Sequence, residues 1–294
     1  MRSDMGFDCA AALLPVDMRG SARALPERTR REAEELRLRS GRPPTVLAHG
    51  AERPFGERSV SLSDLDTVLE TATRASAHAA LADVSSGFVT VRGGCRVGLC
   101  GQAVLRENGA LTLRRLSSVC IRIPHEAAGC ADGIWQALSA GGFADTLIIS
   151  PPGAGKTTLL RELTRLLSRE GRRVSVIDER GEVAGMWEGE SAFDLGPCTD
   201  VLTGAPKADA AMLLLRSMSP EVLVMDEITS PGDVEAVYSA AGCGVKLLAT
   251  AHALRADTLM ERPLYRALLA EGIFKRAVTI SRRGNTRIYE VSTL

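Results

Sequence analysis

The 294-residue sequence is poor in lysine, poor in aromatic residues and free of long apolar runs. Only four lysines, Lys156, Lys207, Lys246 and Lys275, stand among its 36 basic residues, and these face 36 acidic ones. The net charge is zero, so no whole-chain attraction to nucleic acid or an anionic membrane is expected. Three tyrosines and two tryptophans give little sign of a groove that stacks bases. No stretch of 18 apolar residues occurs, so no membrane-spanning helix is expected. The N-terminal segment lacks the apolar region and cleavage site of a signal peptide. Seven cysteines are scattered with no C-x-x-C pair. That pattern predicts free thiols in a reducing cytosol and no zinc site. His125–Glu126 lacks the second histidine of a zinc-protease motif.

What is present is ordinary for a globular chain, with 45% apolar and 24% charged residues. The length allows one large domain or two ordinary ones. Two halves read differently, residues 1–140 and 141–294. The first predicts a small α+β domain. Ser21 to Ser40 carries alternating charges, read as a solvated helix that stops at Gly41-Arg42-Pro43-Pro44. Ser63 precedes a second expected helix, Asp64 to Ala82, with Leu65, Val68, Leu69 and Ala72 at helical spacing. Residues 87–105 read as short strands, and Asn108–Gly109 signals a hairpin between Ala103–Leu105 and Leu111–Leu113.

The second half alternates strands and helices. Strands are expected at 146–150, 173–178, 221–227 and 246–252, and helices at 157–170, 207–218, 231–241 and 256–270. A hairpin around Gly284-Asn285 closes the chain. Near-continuous apolar strands between helices predict an α/β fold with a parallel sheet buried on both faces.

The strongest motif runs from Ser150 to Thr158, between an expected strand and an expected helix. Gly153 and Gly155 let the backbone curl so that N–H groups point at phosphate oxygens. The loop residues Pro152, Gly153, Ala154, Gly155, Lys156, Thr157 and Thr158 are therefore candidates for binding a nucleoside triphosphate. Lys156 would reach the β- and γ-phosphates, Thr157 would ligate Mg²⁺, and Thr158 would contact the α-phosphate. Ser150 takes the place of the first glycine of G-x-x-x-x-G-K-[ST].

Glu221 to Glu227 is an apolar strand ending in two carboxylates, at the edge where α/β sheets bind ligands. Asp226 would hold Mg²⁺ through water, and Glu227 would orient or deprotonate the attacking water. Thr250 and His252 fall on one side of the 246–252 strand. They are candidates for sensing the γ-phosphate or water. Asp178, Glu179 and Glu182 add acid at the same edge, read either as metal or water positioning or as a capped, salt-bridged loop. Charge on the transferred phosphoryl group calls for an arginine, with Arg92, Arg96, Arg122, Arg180 and Arg216 as candidates. Three functions follow from these residues: an ATP hydrolase, a nucleotide-dependent assembly scaffold with negligible hydrolysis, and a nucleic-acid motor.

The segments SPPGAGKTTLLRELTR, VSVIDERGEVAG, LGPCTDVLTGAPKADAAMLLLRSMSPEVLVMDEI and LLATAHA, with LRLRSGRPP, GFVTVRGGCRVGLCGQAV and LSSVCIRIPHE before them, resemble the stage III sporulation protein AA family. The resemblance extends from about Glu34 to Tyr289. That family is similar to the motor ATPases of type II and type IV secretion and pilus systems. The resemblance implies a RecA-like phosphate-loop core, a secretion-ATPase-like N-terminal domain, ATP and Mg²⁺ as ligands, and assembly into a ring, a hexamer. It implies a cytoplasmic protein of the mother cell, peripheral to the inner face of the forespore outer membrane. There it would energise a trans-envelope complex with membrane proteins of the stage III sporulation operon as partners. Two departures stand out: Cys198 occupies a place where the family suggests arginine, and the histidine-containing box is reduced to Thr250-Ala251-His252.

Overall fold

The computed structural model describes residues 5–73, 88–105, 111–125, 128–283 and 286–294. The turns expected at Asn108–Gly109 and Gly284–Asn285, and the end of the helix expected over 64–82, lie outside the described residues. The chain divides into two compact units, one of residues 1–126 with 185–192, the other of 127–184 with 193–294. Residues 127–140, grouped with the first half on sequence, thus fall in the second unit.

The first unit begins with helices α1 (Met5–Ala12), α2 (Val16–Arg23) and α3 (Glu27–Arg31). Its sheet contains β1 (Ala33–Arg39), β2 (Thr45–Ala48), β3 (Ala51–Pro54), β4 (Phe88–Val91), β5 (Cys95–Leu105) and β6 (Leu111–Arg122). The order is β3-β2-β1-β6-β5-β4, and every neighbouring pair is antiparallel. The long charged helix expected over 21–40 is therefore wrong. Only Glu27–Arg31 of its charged run is helical, and after Glu32 the residues Ala33–Arg39 form β1. Leu36 and Leu38 are both fully buried, two residues apart, which is strand rather than helix periodicity. The charges between them lie along the strand's other face. Arg37 Nε donates to Glu35 at 2.5 Å, Arg122 pairs with Glu35 at 3.4 Å, and Arg39 pairs with Glu52 of β3.

Helix α4 (Leu62–Thr73) starts earlier than expected, because Ser61 rather than Ser63 caps it. Asp64 N–H donates to Ser61 Oγ at 3.2 Å, and Ser61 N–H donates to Asp64 Oδ2 at 2.7 Å. Strands β5 and β6 pair as far as Leu105 opposite Leu111, so the two strands of the expected hairpin are present. A side chain at Gly101 would come within 1.8 Å of the Arg115 carbonyl, where the register of this pair shifts. Trp187, from the 185–192 segment, packs on this unit's core.

The second unit contains α5 (Asp132–Ser139), β7 (Thr146–Ser150), α6 (Lys156–Arg169), β8 (Val174–Asp178), β9 (Thr199–Thr203), α7 (Lys207–Ser217), β10 (Val222–Met225), α8 (Pro231–Gly242), β11 (Lys246–His252), α9 (Ala256–Leu259), α10 (Pro263–Ala270), β12 (Arg276–Arg283) and β13 (Thr286–Thr293). The sheet order is β13-β12-β7-β11-β10-β8-β9, parallel throughout except for β13. Successive strand residues serve opposite faces. Leu147 and Ile149 join the core with α7, α8 and α10, whereas Ile148 joins the core with α5 and α6. The alternating strand and helix pattern expected on sequence is present, with one addition. Strand β9, sequence TDVLT, was missed because its polar, half-exposed residues carry no apolar run. Among the described residues no helix is long and apolar enough to cross a membrane.

Candidate functional site

The C-terminal ends of β7, β8, β10 and β11 share one edge of the second sheet. Their registers align Ser150 with His252, Ala249 with Met225, and Ile177 with Met225. Strand β11 lies between β7 and β10, so the residues at its end stand between the loop after β7 and the carboxylates after β10.

Residues Pro151–Gly155 form the turn from β7 into α6. Gly153 has φ 72° and Gly155 φ 105°, values that side chains disfavour. Ser150 needs no such freedom, because it is the last residue of an extended strand. It is fully buried, and its hydroxyl donates to the Pro151 carbonyl at 2.9 Å. Its substitution for glycine is thus compatible with the turn. No side chain caps α6 among the described residues. Helices α4 and α8 differ: each starts with a capping box, that of α8 formed by Ser230 and Asp233. The first N–H groups of α6 therefore remain available, at the end of the helix where its dipole favours an anion. Ala154 is buried, Pro152 and Gly153 are exposed, and Thr158 is half-buried in the first turn of the helix.

Two hydrogen-bonded sets meet at this turn. In the first, Lys156 Nζ lies 2.5 Å from His252 Nδ1 and 3.3 Å from the Ser150 carbonyl. His252 Nε2 lies 3.0 Å from Glu227 Oε2. Burial pulls the Lys156 ammonium below the ordinary lysine range, while Glu227 and then Asp226 act in the opposite direction. In the second set, Asp226 is the hub. It accepts the Thr157 hydroxyl at 3.3 Å, the Thr250 hydroxyl at 2.8 Å and the Glu227 N–H at 3.0 Å. Thr250, fully buried, also accepts the Glu227 N–H at 3.0 Å. The sequence-based candidates Lys156, Thr157, Asp226, Glu227, Thr250 and His252 thus converge on one place.

A family model described as sporulation stage III, protein AA, matches residues 18–291. The chain belongs to that family. It is 35% identical over 277 residues to stage III sporulation protein AA of Bacillus subtilis (strain 168), covering 92% of this chain and 90% of that one. It is also 30% identical over 171 residues to protein Seedling Plastid Development 1 of Arabidopsis thaliana, across 56% of this chain and 24% of that protein. Among solved structures, the Legionella pneumophila ATPase DotB matches with a TM-score of 0.59 and 18% identity, over 89% of this chain and 76% of that one. The Yersinia pseudotuberculosis DotB gives 0.61 and 13%, over 95% and 79%. The pilus retraction motor PilT, solved with ADP, gives 0.57 and 17%, over 89% and 79%. At these identities the likeness is one of fold, and it agrees with the RecA-like architecture expected on sequence.

Within this family member the acidic loop after β8 divides its labour. Asp178 is buried, and its carboxylate accepts the N–H groups of Val183 at 3.0 Å and Ala184 at 2.8 Å. Burial raises its pKa, and those N–H groups only partly offset the rise. Arg161 ties the same loop from α6, donating to the carbonyls of Val183 at 2.8 Å and Glu182 at 2.6 Å. Of the two readings of this cluster, Asp178 takes the loop-capping one. Glu179, Arg180 and Glu182, together with Asp178 itself, line a cavity of about 40 Å³ beside Asp226 and Glu227. That volume is large enough for a water molecule.

Two residues of this edge were missed on sequence. Lys207, buried at the start of α7, lines the cavity and pairs with Glu179 at 2.8 Å and Asp233 at 3.4 Å. Burial pushes the Asp233 carboxyl up, but the Thr229 N–H, Lys207 and the Ser230 groups together pull it below its usual value. Tyr265 is buried and donates its hydroxyl to the Ile228 carbonyl, fixing the chain just past Glu227. Neither sits in a motif; only the rarity of lysine marked Lys207. Of the candidate arginines, Arg180 lies at this edge, and Arg216 is exposed on α7. The other three belong to the first unit, where Arg96 stacks on Phe88 at 3.9 Å.

Proposed function

We propose that this protein binds ATP with Mg²⁺ at the turn between β7 and α6 and hydrolyses it, as the ATPase of a secretion-like complex in stage III of sporulation. The observation that carries the reading is the meeting of the uncapped α6 turn with Asp226 and Glu227 beside a water-sized cavity.

The N–H groups of Gly153 to Thr158 and the Lys156 ammonium bind the phosphates. A phosphate oxygen is a stronger partner for the ammonium than the imidazole nitrogen it now meets. The Thr157 hydroxyl and the Asp226 carboxylate are hard oxygen donors facing one another, a set that suits Mg²⁺, with Asp226 acting through water. The metal, when bound, neutralises charge on the phosphates. Glu227 takes a proton from a water held in the cavity, and that water attacks the γ-phosphorus as the bond to ADP breaks. Thr250 and His252 hold the two carboxylates for this step.

The family membership supports a role in sporulation. The fold shared with the ATPase DotB and the pilus retraction motor PilT supports a nucleotide-driven motor. It works as a homo-oligomer, a hexamer, docked on membrane proteins of the stage III complex, as the family resemblance implies. The site of action is then the mother-cell face of the forespore outer membrane. The test measures ATP turnover and assembly size together, with and without the cytoplasmic segment of a membrane partner. Lys156→Ala is expected to lose Mg·ATP binding and turnover. Unchanged turnover in that variant would reject the site.

A further inference from the structure

The last strand brings a cation to the phosphate turn from the side opposite the carboxylates. A Cβ built on Gly155 would lie 2.8 Å from Arg287 Cζ, 2.9 Å from its Nε and 3.2 Å from Nη2. The guanidinium therefore rests on the Gly155 backbone, and glycine is what lets it approach. On β13, Arg287, Tyr289 and Val291 share a face, and the latter two pack on the core beneath α5 and α6. Arg287 lies close enough to the Tyr289 hydroxyl to act on it electrostatically, and the Cys130 thiol lies nearby. Among the described residues no carboxylate pairs with it. A cation without an acidic partner, held against an uncapped helix N-terminus, is electrostatically unfavourable on its own. An anion between the two reverses the sign of both interactions.

Resting on the reading of this turn as a nucleotide site, we propose that Arg287 contacts the α- and β-phosphates in cis. The sheet order supports that end of the nucleotide. Strands β12 and β13 flank β7 on one side, and β11 and β10, with His252, Asp226 and Glu227, on the other. The γ-phosphate and its water belong to the carboxylate side, and Arg287 reaches the diphosphate that ATP and ADP share. A planar guanidinium suits paired phosphate oxygens. Contacts common to substrate and product change KM rather than kcat.

The test titrates full-length protein with Mg²⁺ and mant-ADP, then mant-ATP, over a range of salt concentrations. Arg287→Ala is expected to weaken both about tenfold, the scale of one lost charge-assisted contact. It should also flatten the salt dependence, raise KM and leave kcat within about twofold. Arg287→Lys should recover part of the affinity. Arg287→Gln keeps a polar side chain beside Tyr289 without the charge and serves in its place if the alanine variant does not fold, a point checked by circular dichroism. Unchanged affinity in Arg287→Ala, with binding lost in Lys156→Ala, overturns the Arg287 contact and leaves the site standing. Tighter binding in Arg287→Ala overturns it too, since Arg287 would then be a cover over the turn. Full binding by Lys156→Ala rejects the nucleotide site itself.

Discussion

Lys156 Nζ and His252 Nδ1 lie 2.5 Å apart, across from Glu227 on the other imidazole nitrogen. An ammonium has only donors, so a charged Lys156 needs Nδ1 as its acceptor, which places the ring proton on Nε2, facing the Glu227 carboxylate. The imidazole thereby links the Lys156 cation at the β7–α6 turn to the proposed base. A phosphate that draws Lys156 away removes the partner of Nδ1 and leaves the Glu227 contact in place.

His252→Ala is accordingly expected to act on turnover more than on binding. Losing the contact that orients Glu227 should lower kcat about tenfold, the equivalent of one hydrogen bond, while KM moves less than about threefold. Steady-state kinetics separates the two. A KM effect as large as the kcat effect would make His252 a binding residue.

Glu227→Gln should retain Mg·ATP binding and slow hydrolysis by at least about 100-fold, because the amide cannot accept the proton of water. Single-turnover assays with bound nucleotide give the hydrolysis step directly. Hydrolysis at the wild-type rate would assign the base elsewhere.

Thr250→Val tests the buried hydroxyl that joins Asp226 to the Glu227 backbone. Valine keeps the shape and removes the hydrogen bonds. Stability should fall by about 1–2 kcal/mol, with lower kcat as Glu227 loses its anchor. Urea unfolding reads the first effect, and Thr250→Ser should restore both.

Asp64 governs an acid limb of the first unit's stability. Its hydrogen bonds from Arg58 lower its pKa from the ordinary 3.8 to about 2, with burial opposing and Ser61 assisting. A carboxylate with a depressed folded value stabilises the fold above its unfolded value, and that contribution is lost as pH falls through the folded one. The urea midpoint should therefore drop between about pH 4 and pH 2. Asp64→Asn should flatten that part of the curve, and an unchanged slope would assign the acid sensitivity to other carboxylates.

The core of the second unit was legible because its signals are local. Four buried strands at 146–150, 174–178, 222–225 and 246–252 are each written as a short apolar run. The glycines at 153 and 155 mark backbone geometry that only a turn requires. The charged run before Arg39 misled, since salt-bridged charges look alike on a helix face and on the outer face of a strand. Only the period-two burial of Leu36 and Leu38 separates the two. Strand β9, Lys207 and Tyr265 went unread because their roles depend on neighbours distant in the chain.

By itself the amino-acid order determined the glycine turn between β7 and α6, the apolar strand that leads into Asp226 and Glu227, and the presence of Thr250 and His252 on a strand of their own. These are properties of contiguous residues, set by φ/ψ preference and by which short runs are apolar. Tertiary structure alone decided that β11 lies between β7 and β10, that His252 bridges Lys156 and Glu227, that Asp178 caps a loop, and that Arg287 reaches Gly155. Each joins residues tens of positions apart, and their distances exist only once the parallel sheet has fixed which strand ends share an edge.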